Sequence, residues 1–433
     1  MPVAISPATR LAVFMRALHS AVGLFAAPWL LIAAVTGLAY AATPQLTAWW
    51  YAPVTTADTA GAGASLSLTR QIEIARQALP EAGPPVALRP GQAGETTTRV
   101  MFARPGADAG VTTAVFVDPG TGRIHGQLAS YGTSGALPIR RVIDKLHRSL
   151  LLGAPGRLYS ELAASWLAVA ALGGLVLWGR ARRARRAPSR ARAWHRRLGP
   201  WLVIGLLGFS ITGLTWSQFA GQRIATLRVL AGWQTPALSA ATTSSTAKPG
   251  TQTYDSVLAT ARRQGLGADR IEIRAPRGND TTWTVAEIDR RWPSQVDRIA
   301  VDSVTGAPVA HSRFADWPLA AKLTRWGIDG HMGVLFGWVN QLVLAVFATG
   351  LIALIVSGWV GLIQRRRQTA RMTLWHSLVG LTRRQQIGLG VTFCALAFVL
   401  PVWAASCPLL VWLDARAPGL SRLIGRPSGP PAA

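Results

Sequence analysis

Apolar positions gather into long runs at roughly Ala21 to Ala42, Leu158 to Trp178, Leu198 to Phe219, Leu335 to Leu362 and Ile387 to Leu413. Each is near the roughly 20 residues that a helix needs to cross a hydrocarbon core about 30 Å thick. The first could be a secretory signal, because Arg10 and Arg16 precede it and Ala39-Tyr40-Ala41 resembles a cleavage site. Its apolar stretch exceeds a signal core of about 7 to 15 residues, so it reads as a retained span. The last run is weaker, since Pro401 interrupts it and Arg416, Arg422 and Arg426 follow on the side that should be poor in arginine.

Charge orients the spans. Nine arginines fall between Arg180 and Arg197 and six from Arg365 to Arg384, which puts those loops in the cytoplasm. The expected order is: 1–43, N-terminus and first span; 44–156, first outer domain; 157–180, second span; 181–197, basic loop; 198–220, third span; 221–330, second outer domain; 331–364, fourth span; 365–386, cytoplasmic loop; 387–413, fifth segment; 414–433, tail. The pattern thus predicts a membrane α-helical bundle of four core transmembrane helices plus a fifth, with two α+β extracytoplasmic domains. Each outer domain reads as a helix followed by short strands: Leu68 to Leu79 then Ala114 to Val117, and Tyr254 to Gln264 then Arg270 to Ile273, Thr282 to Ile288 and Arg298 to Val301. Pro53 to Ala64 and Thr235 to Gly250 read as linkers.

Half of the 433 residues are hydrophobic and only 15% are charged, yet the formal net charge is +26. Because the arginines cluster beside spans, topology and lipid headgroups account for them and no nucleic acid partner is expected. Two cysteines, Cys394 and Cys407, are too few for a disulfide framework or a thiolate cluster. Neither a Gly-x-Gly-x-x-Gly turn in strand-to-helix context nor a phosphate-binding Gly-x4-Gly-Lys loop occurs.

The chain repeats itself. His19, Gly23, Thr36 and Gly37 recur as His195, Gly199, Thr212 and Gly213, 176 residues later. Val117-Asp118 and Thr121-Gly122 return as Val301-Asp302 and Thr305-Gly306, displaced by 184. His147 and His331 each follow the Thr of that turn by 26 residues, with a glycine 6 residues on (Gly153, Gly337) and another 27 on (Gly174, Gly358). An internal duplication of helix, outer domain and helix is the expectation.

Four of seven histidines sit at these repeat positions. Helices of opposite direction put His19 and His195 at the inner edge and His147 and His331 at the outer edge. The 25 residues from His19 to Pro44 are about 37 Å of helix, and the 33 from His147 to Arg180 about 50 Å, so the outer pair should protrude. Two imidazoles facing each other in an apolar bundle suit axial ligation of haem iron, with small residues leaving room for the ring and Arg16, Arg196 and Arg197 available to propionates. Zinc would want three or four close donors instead. Asp144 and Asp329, just before the outer histidines, read as supporting or capping groups. His376 is a rival inner ligand because Trp375-His376 echoes Trp194-His195; His125 and His311 read as surface residues.

The duplicated His-x3-Gly helix, the Val-Asp-x-x-Thr-Gly turn, Leu146-His147-Arg148-Ser149-Leu150 with Gly153, and His331 with Gly337 together resemble the PepSY-associated transmembrane proteins over about residues 10–367. That resemblance implies PepSY-like outer domains in a multi-pass bacterial inner-membrane protein. It further implies an oxidoreductase holding two b-type haems on His19, His195, His147 and His331. Such an enzyme would pass electrons from a cytoplasmic or membrane donor to a periplasmic ferric siderophore or other iron(III) chelate and release the iron. Two other readings stay open: a non-enzymatic membrane protein regulating a protease or sensor, and a haem electron carrier serving another periplasmic acceptor.

Overall fold

The computed structural model describes residues 6–59, 63–181, 189–238, 252–277, 280–366 and 372–424. Most of the arginine-rich runs (182–186, 365–371, 422 and 426) and most of the linker expected at 235–250 lie outside the described side chains. The helices in chain order are α1 (Pro7–Phe25), α2 (Ala27–Ala41), α3 (Thr43–Trp50), α4 (Ala52–Thr55), α5 (Leu68–Gln77), α6 (Pro138–Ser149), α7 (Gly153–Ala181), α8 (Arg190–Thr215), α9 (Phe219–Leu230), α10 (Tyr254–Arg263), α11 (Leu319–His331), α12 (Gly337–Arg366), α13 (Leu374–Val379), α14 (Arg383–Val399) and α15 (Pro401–Ile424). The strands are β1 (Ala87–Arg89), β2 (Thr98–Ala103), β3 (Val111–Val117), β4 (Ile124–Tyr131), β5 (Ile271–Arg274), β6 (Thr282–Glu287), β7 (Arg298–Asp302) and β8 (Pro308–Ser312). The chain forms two compact units, a helical one (1–39, 145–232, 342–433) and a sheet-bearing one (40–144, 233–341).

In the helical unit α7, α8 and α12 are long and apolar enough to cross a membrane, and α1 with α2 makes a fourth span if the bent pair counts as one. The bend is 56° and falls at Ala26. Pro28 sits in the first turn of α2, where it has no N–H to return to the turn before and its ring crowds a carbonyl there, so the single first span expected from sequence is broken. The Trp359 indole N–H donates to the Gly23 carbonyl at 2.6 Å just before this bend. Ala27, Leu30 and Ala34 of α2 pack with Leu167 of α7, Leu202 and Leu206 of α8, and Leu351, Leu354 and Ile355 of α12. Phe14, Ala17, Ala21 and Val22 of α1 pack instead with Trp166, Leu374, Trp403 and Leu410. Glu161, fully buried on α7, accepts the backbone N–H groups of Phe219 and Ala220 at 2.8 and 3.0 Å, so its carboxyl caps the N-terminus of α9.

The outer histidines precede the long spanning helices and do not lie on them. His147 is on α6, and α7 starts afresh at Gly153; His331 ends α11, and α12 starts at Gly337. The first break runs through Leu150 and Leu151, with φ of 52° and 61°. A left-handed conformation costs an L-residue roughly 1–2 kcal/mol. Leu151 is also 54% exposed, so Leu151→Gly should stabilise the protein by about 1 kcal/mol, read as a raised thermal midpoint in detergent.

The segment expected as a fifth span is a hairpin. Gln385 Nε2, in the first turn of α14, donates to the Pro7 carbonyl at 2.9 Å, beside the start of α1. The far end of α14 meets α9, where the Arg223 guanidinium lies 5.3 Å from the Phe398 ring. At Leu400 and Pro401 the chain turns, because proline cannot extend the helix before it. α15 then runs back until Asp414 Oδ2 accepts the Leu374 N–H at 2.6 Å. α13 is itself tied to α1, Arg10 Nη1 donating to the Gly380 carbonyl at 3.0 Å. Arg416 thus returns to the end where α1 begins, and its apparent violation of the positive-inside rule disappears.

The sheet unit holds one eight-stranded antiparallel sheet, ordered β4-β3-β2-β1-β5-β6-β7-β8. Each half is a helix followed by four strands, and the halves meet where Leu88 of β1 pairs with Ile273 of β5. Next to that pair Arg89 and Glu272 form a buried ion pair at 2.6 Å. Alternate residues Val100, Phe102, Val115, Val117, Ile271, Ile273, Val285, Ile299 and Val301 form one core with α5 and α10. Asp255 of α10 caps α5, accepting the N–H groups of Leu68 and Thr69 at 2.7 and 3.0 Å. Burial pushes this carboxyl up, but the Thr69 hydroxyl and the two N–H groups outweigh it and hold it below its ordinary value.

Candidate functional site: a histidine pair among glycines

His19 on α1 and His195 on α8 meet. Their ring centroids are 6.0 Å apart and the planes are inclined by 72°. Both rings line a cavity of about 510 Å³ among α1, α2, α7, α8 and α12. Its walls are mainly apolar, including Leu30, Leu167, Leu206, Leu351 and Ile355, while Arg16, Arg180, Arg192 and Arg196 line it as well. Of the arginines expected beside the inner histidines, Arg16 and Arg196 are there; Arg197 is not among the lining residues, and Arg180 and Arg192 are.

Each ring has a defined seat. His195 Nδ1 lies 2.8 Å from the Leu354 carbonyl, which can only accept, so this nitrogen carries the proton and Nε2 keeps a lone pair. Ligating histidines are commonly held by such a backbone acceptor. Beneath the ring is Gly358, where a Cβ would stand 3.3 Å from two ring atoms. Beneath His19 is Gly174, where a Cβ would stand 3.2 Å from Cε1. The His19 ring likewise faces the Ala170 backbone of α7, four residues before Gly174, as His195 faces Leu354 four residues before Gly358. Gly23 and Gly199 also line the cavity, and added Cβ atoms there would meet nothing within 4 Å.

His147 is seated in the same style. Its Nδ1 lies 2.9 Å from Thr36 Oγ1, whose own hydroxyl donates to the Ile32 carbonyl at 2.7 Å, and a Cβ on Gly37 would come within 3.2 Å of its Cε1. Thr36 and Gly37, the glycine read from sequence as leaving room for a flat ring, therefore form a receptacle for the outer histidine. His331 belongs to the sheet unit. Asp329, two residues earlier, is buried against Arg325 and Arg290. His376 is no rival for the inner pair: it is exposed, absent from the cavity lining, and lies 2.6 Å from the hydroxyl of Thr373, its own N-cap.

Sequence reading missed two things here. Gly174 and Gly358 were visible as a fixed offset of 27 residues from the outer histidines, but their role under the inner ones depends on helix packing. His125, expected at the surface, has a side chain only 5% accessible. The sheet unit also contains buried arginines: burial first, and then the neighbouring Arg325, pushes Arg290 down to about 10, and burial and Arg89 do the same to Arg99.

No curated protein matches the chain. The model of the family described as the PepSY-associated TM region does match, over residues 16–365, and it agrees with the apolar spans on this being a membrane protein. The chain therefore belongs to the PepSY-associated TM region family.

Proposed function

We propose that this protein is a haem-dependent transmembrane reductase that carries electrons from the cytoplasmic side of a bacterial inner membrane to an iron(III) chelate such as a ferric siderophore outside. The observation that carries the reading is the His19–His195 pair across an apolar cavity. His19 and His195, with ring centroids 6.0 Å apart, are the residues that would hold the iron. The cavity and the glycines under both rings fit a bound haem b as well. Bound there, haem would supply a one-electron iron couple.

The chain's own groups do the rest. The Leu354 carbonyl fixes the His195 tautomer, Gly174 and Gly358 let the rings lie close to α7 and α12, and leucine side chains give the cavity an apolar wall. Arg16, Arg180 and Arg192 can pair with carboxylates at the cavity. By repeat spacing in the sequence, His147 and His331 would be the ligands of a second haem. One electron delivered to the chelated iron(III) gives iron(II), which hard oxygen donors hold far less well.

The test is haem content per chain with a reduced-minus-oxidised spectrum. Two haems b per chain and rapid reoxidation of the reduced protein by a ferric siderophore are expected. A colourless protein even after haem supplementation would sink the reading and leave regulation of a protease or sensor.

A further inference from the structure

The sheet unit holds a second cluster of ligand-type side chains. His125 comes from β4, Asp118 from the end of β3, and Asp58 from the segment after α4. One ligand atom from each lies within 4.8 Å of the other two, and among the described residues this is the one such group of three. We propose that Asp58, Asp118 and His125 bind a first-row divalent cation of the zinc type.

Three features point to a cation. The His125 side chain is 5% accessible, and its Nε2 is buried without a hydrogen-bond partner among the described residues. Its Nδ1 lies 3.2 Å from the Pro53 carbonyl, which puts the proton there and aims the Nε2 lone pair at the two carboxylates. Nε2 is 3.5 Å from Asp58 Oδ2 and 3.6 Å from Asp118 Oδ2, too far for good hydrogen bonds. Bonds of roughly 2.0–2.2 Å at tetrahedral angles hold ligand atoms about 3.3–3.5 Å apart, so the spacing suits donors sharing one small ion. An imidazole with two carboxylates favours zinc or ferrous iron over magnesium or calcium.

Asp118 is prearranged. Its Oδ1 accepts the N–H groups of Gly120 and Thr121 at 2.8 Å, and its Oδ2 accepts the Asp58 N–H at 2.6 Å, which brings the Asp58 segment alongside. Arg123 Nη1 lies 3.3 Å from Asp58 Oδ2, but that side chain is 68% exposed and can swing away when a metal ion replaces it. The other half of the sheet lacks the arrangement: His311 Nε2 is 3.9 Å from Asp297, and Asp302 is occupied with its own turn.

The experiment is calorimetric titration of tag-free, chelator-stripped full-length protein in detergent with zinc chloride alone, and with magnesium chloride as the comparison. One zinc per chain is expected, with binding at least tenfold weaker in His125→Ala and in Asp58→Asn. Arg123→Ala, an exposed change that leaves the fold intact, should bind zinc more tightly because a competing cation is gone. The proposal is overturned if His125→Ala binds zinc as well as the unaltered protein, if Arg123→Ala shows no zinc binding, or if magnesium binds equally well. The haem spectrum of each variant should be unchanged, which keeps failure here separate from failure of the reductase reading.

Discussion

Under the proposed function, purified His195→Ala should carry one haem where the unaltered protein would carry two, and its reduction of a ferric siderophore should be lost. The same loss is expected of His19→Ala, because the two rings stand 6.0 Å apart and would share one iron. His147→Ala and His331→Ala should lose the other haem and keep the inner one. The four variants would then form two spectral pairs, distinguishable by the position and midpoint potential of the band that survives. Loss of one common haem from all four would refute separate inner and outer sites. Supplying imidazole to His195→Ala should partly restore the missing band, which a merely misfolded protein would not allow.

A comparable effect is expected from a residue that has no donor atom. In Gly358→Val the new Cβ would begin 3.3 Å from the His195 ring, and its methyls would extend into the same space. Overpacking of this kind costs roughly 1–3 kcal/mol, which the ring would relieve by leaving its bond to the Leu354 carbonyl. Loss of such orienting contacts typically weakens metal binding by about 10- to 100-fold. Haem occupancy of the inner site should therefore collapse in Gly358→Val and in Gly174→Val, while the alanine variants, with one methyl to accommodate, keep most of it. Full haem content and an unshifted potential in Gly358→Val would show that the glycine seat does not matter.

Much of this was legible in the sequence for a physical reason. Lipid demands long apolar runs, and each of α7, α8 and α12 announced itself by one. The inner histidines were legible because the same spacing occurs twice, and helical geometry converts spacing into depth. Breaks inside apolar runs were not. Composition does not distinguish one helix from two antiparallel ones, so the hairpin turning at Leu400 and Pro401 read as a weak span, with Pro401 and the misplaced arginines after it as the hints otherwise. β1, β2, β4 and β8 were missed because β1 has three residues and β4 and β8 are largely solvent-facing edges without a clean alternation. The burial of His125 depends on Asp58, which arrives from a stretch whose Pro, Ala and Thr content suggested only a linker.

One turn of α12 serves both halves of the inner pair. Gly358 makes room for the His195 ring, and the next residue, Trp359, grips the Gly23 carbonyl of the helix that bears His19. Gly23 is four residues beyond His19, a single helical turn, so a rotation of α12 would displace the two imidazoles together. The gap between them is in this way a property of a third helix, and tuning it by substitution on α1 or α8 alone would work against that shared anchor.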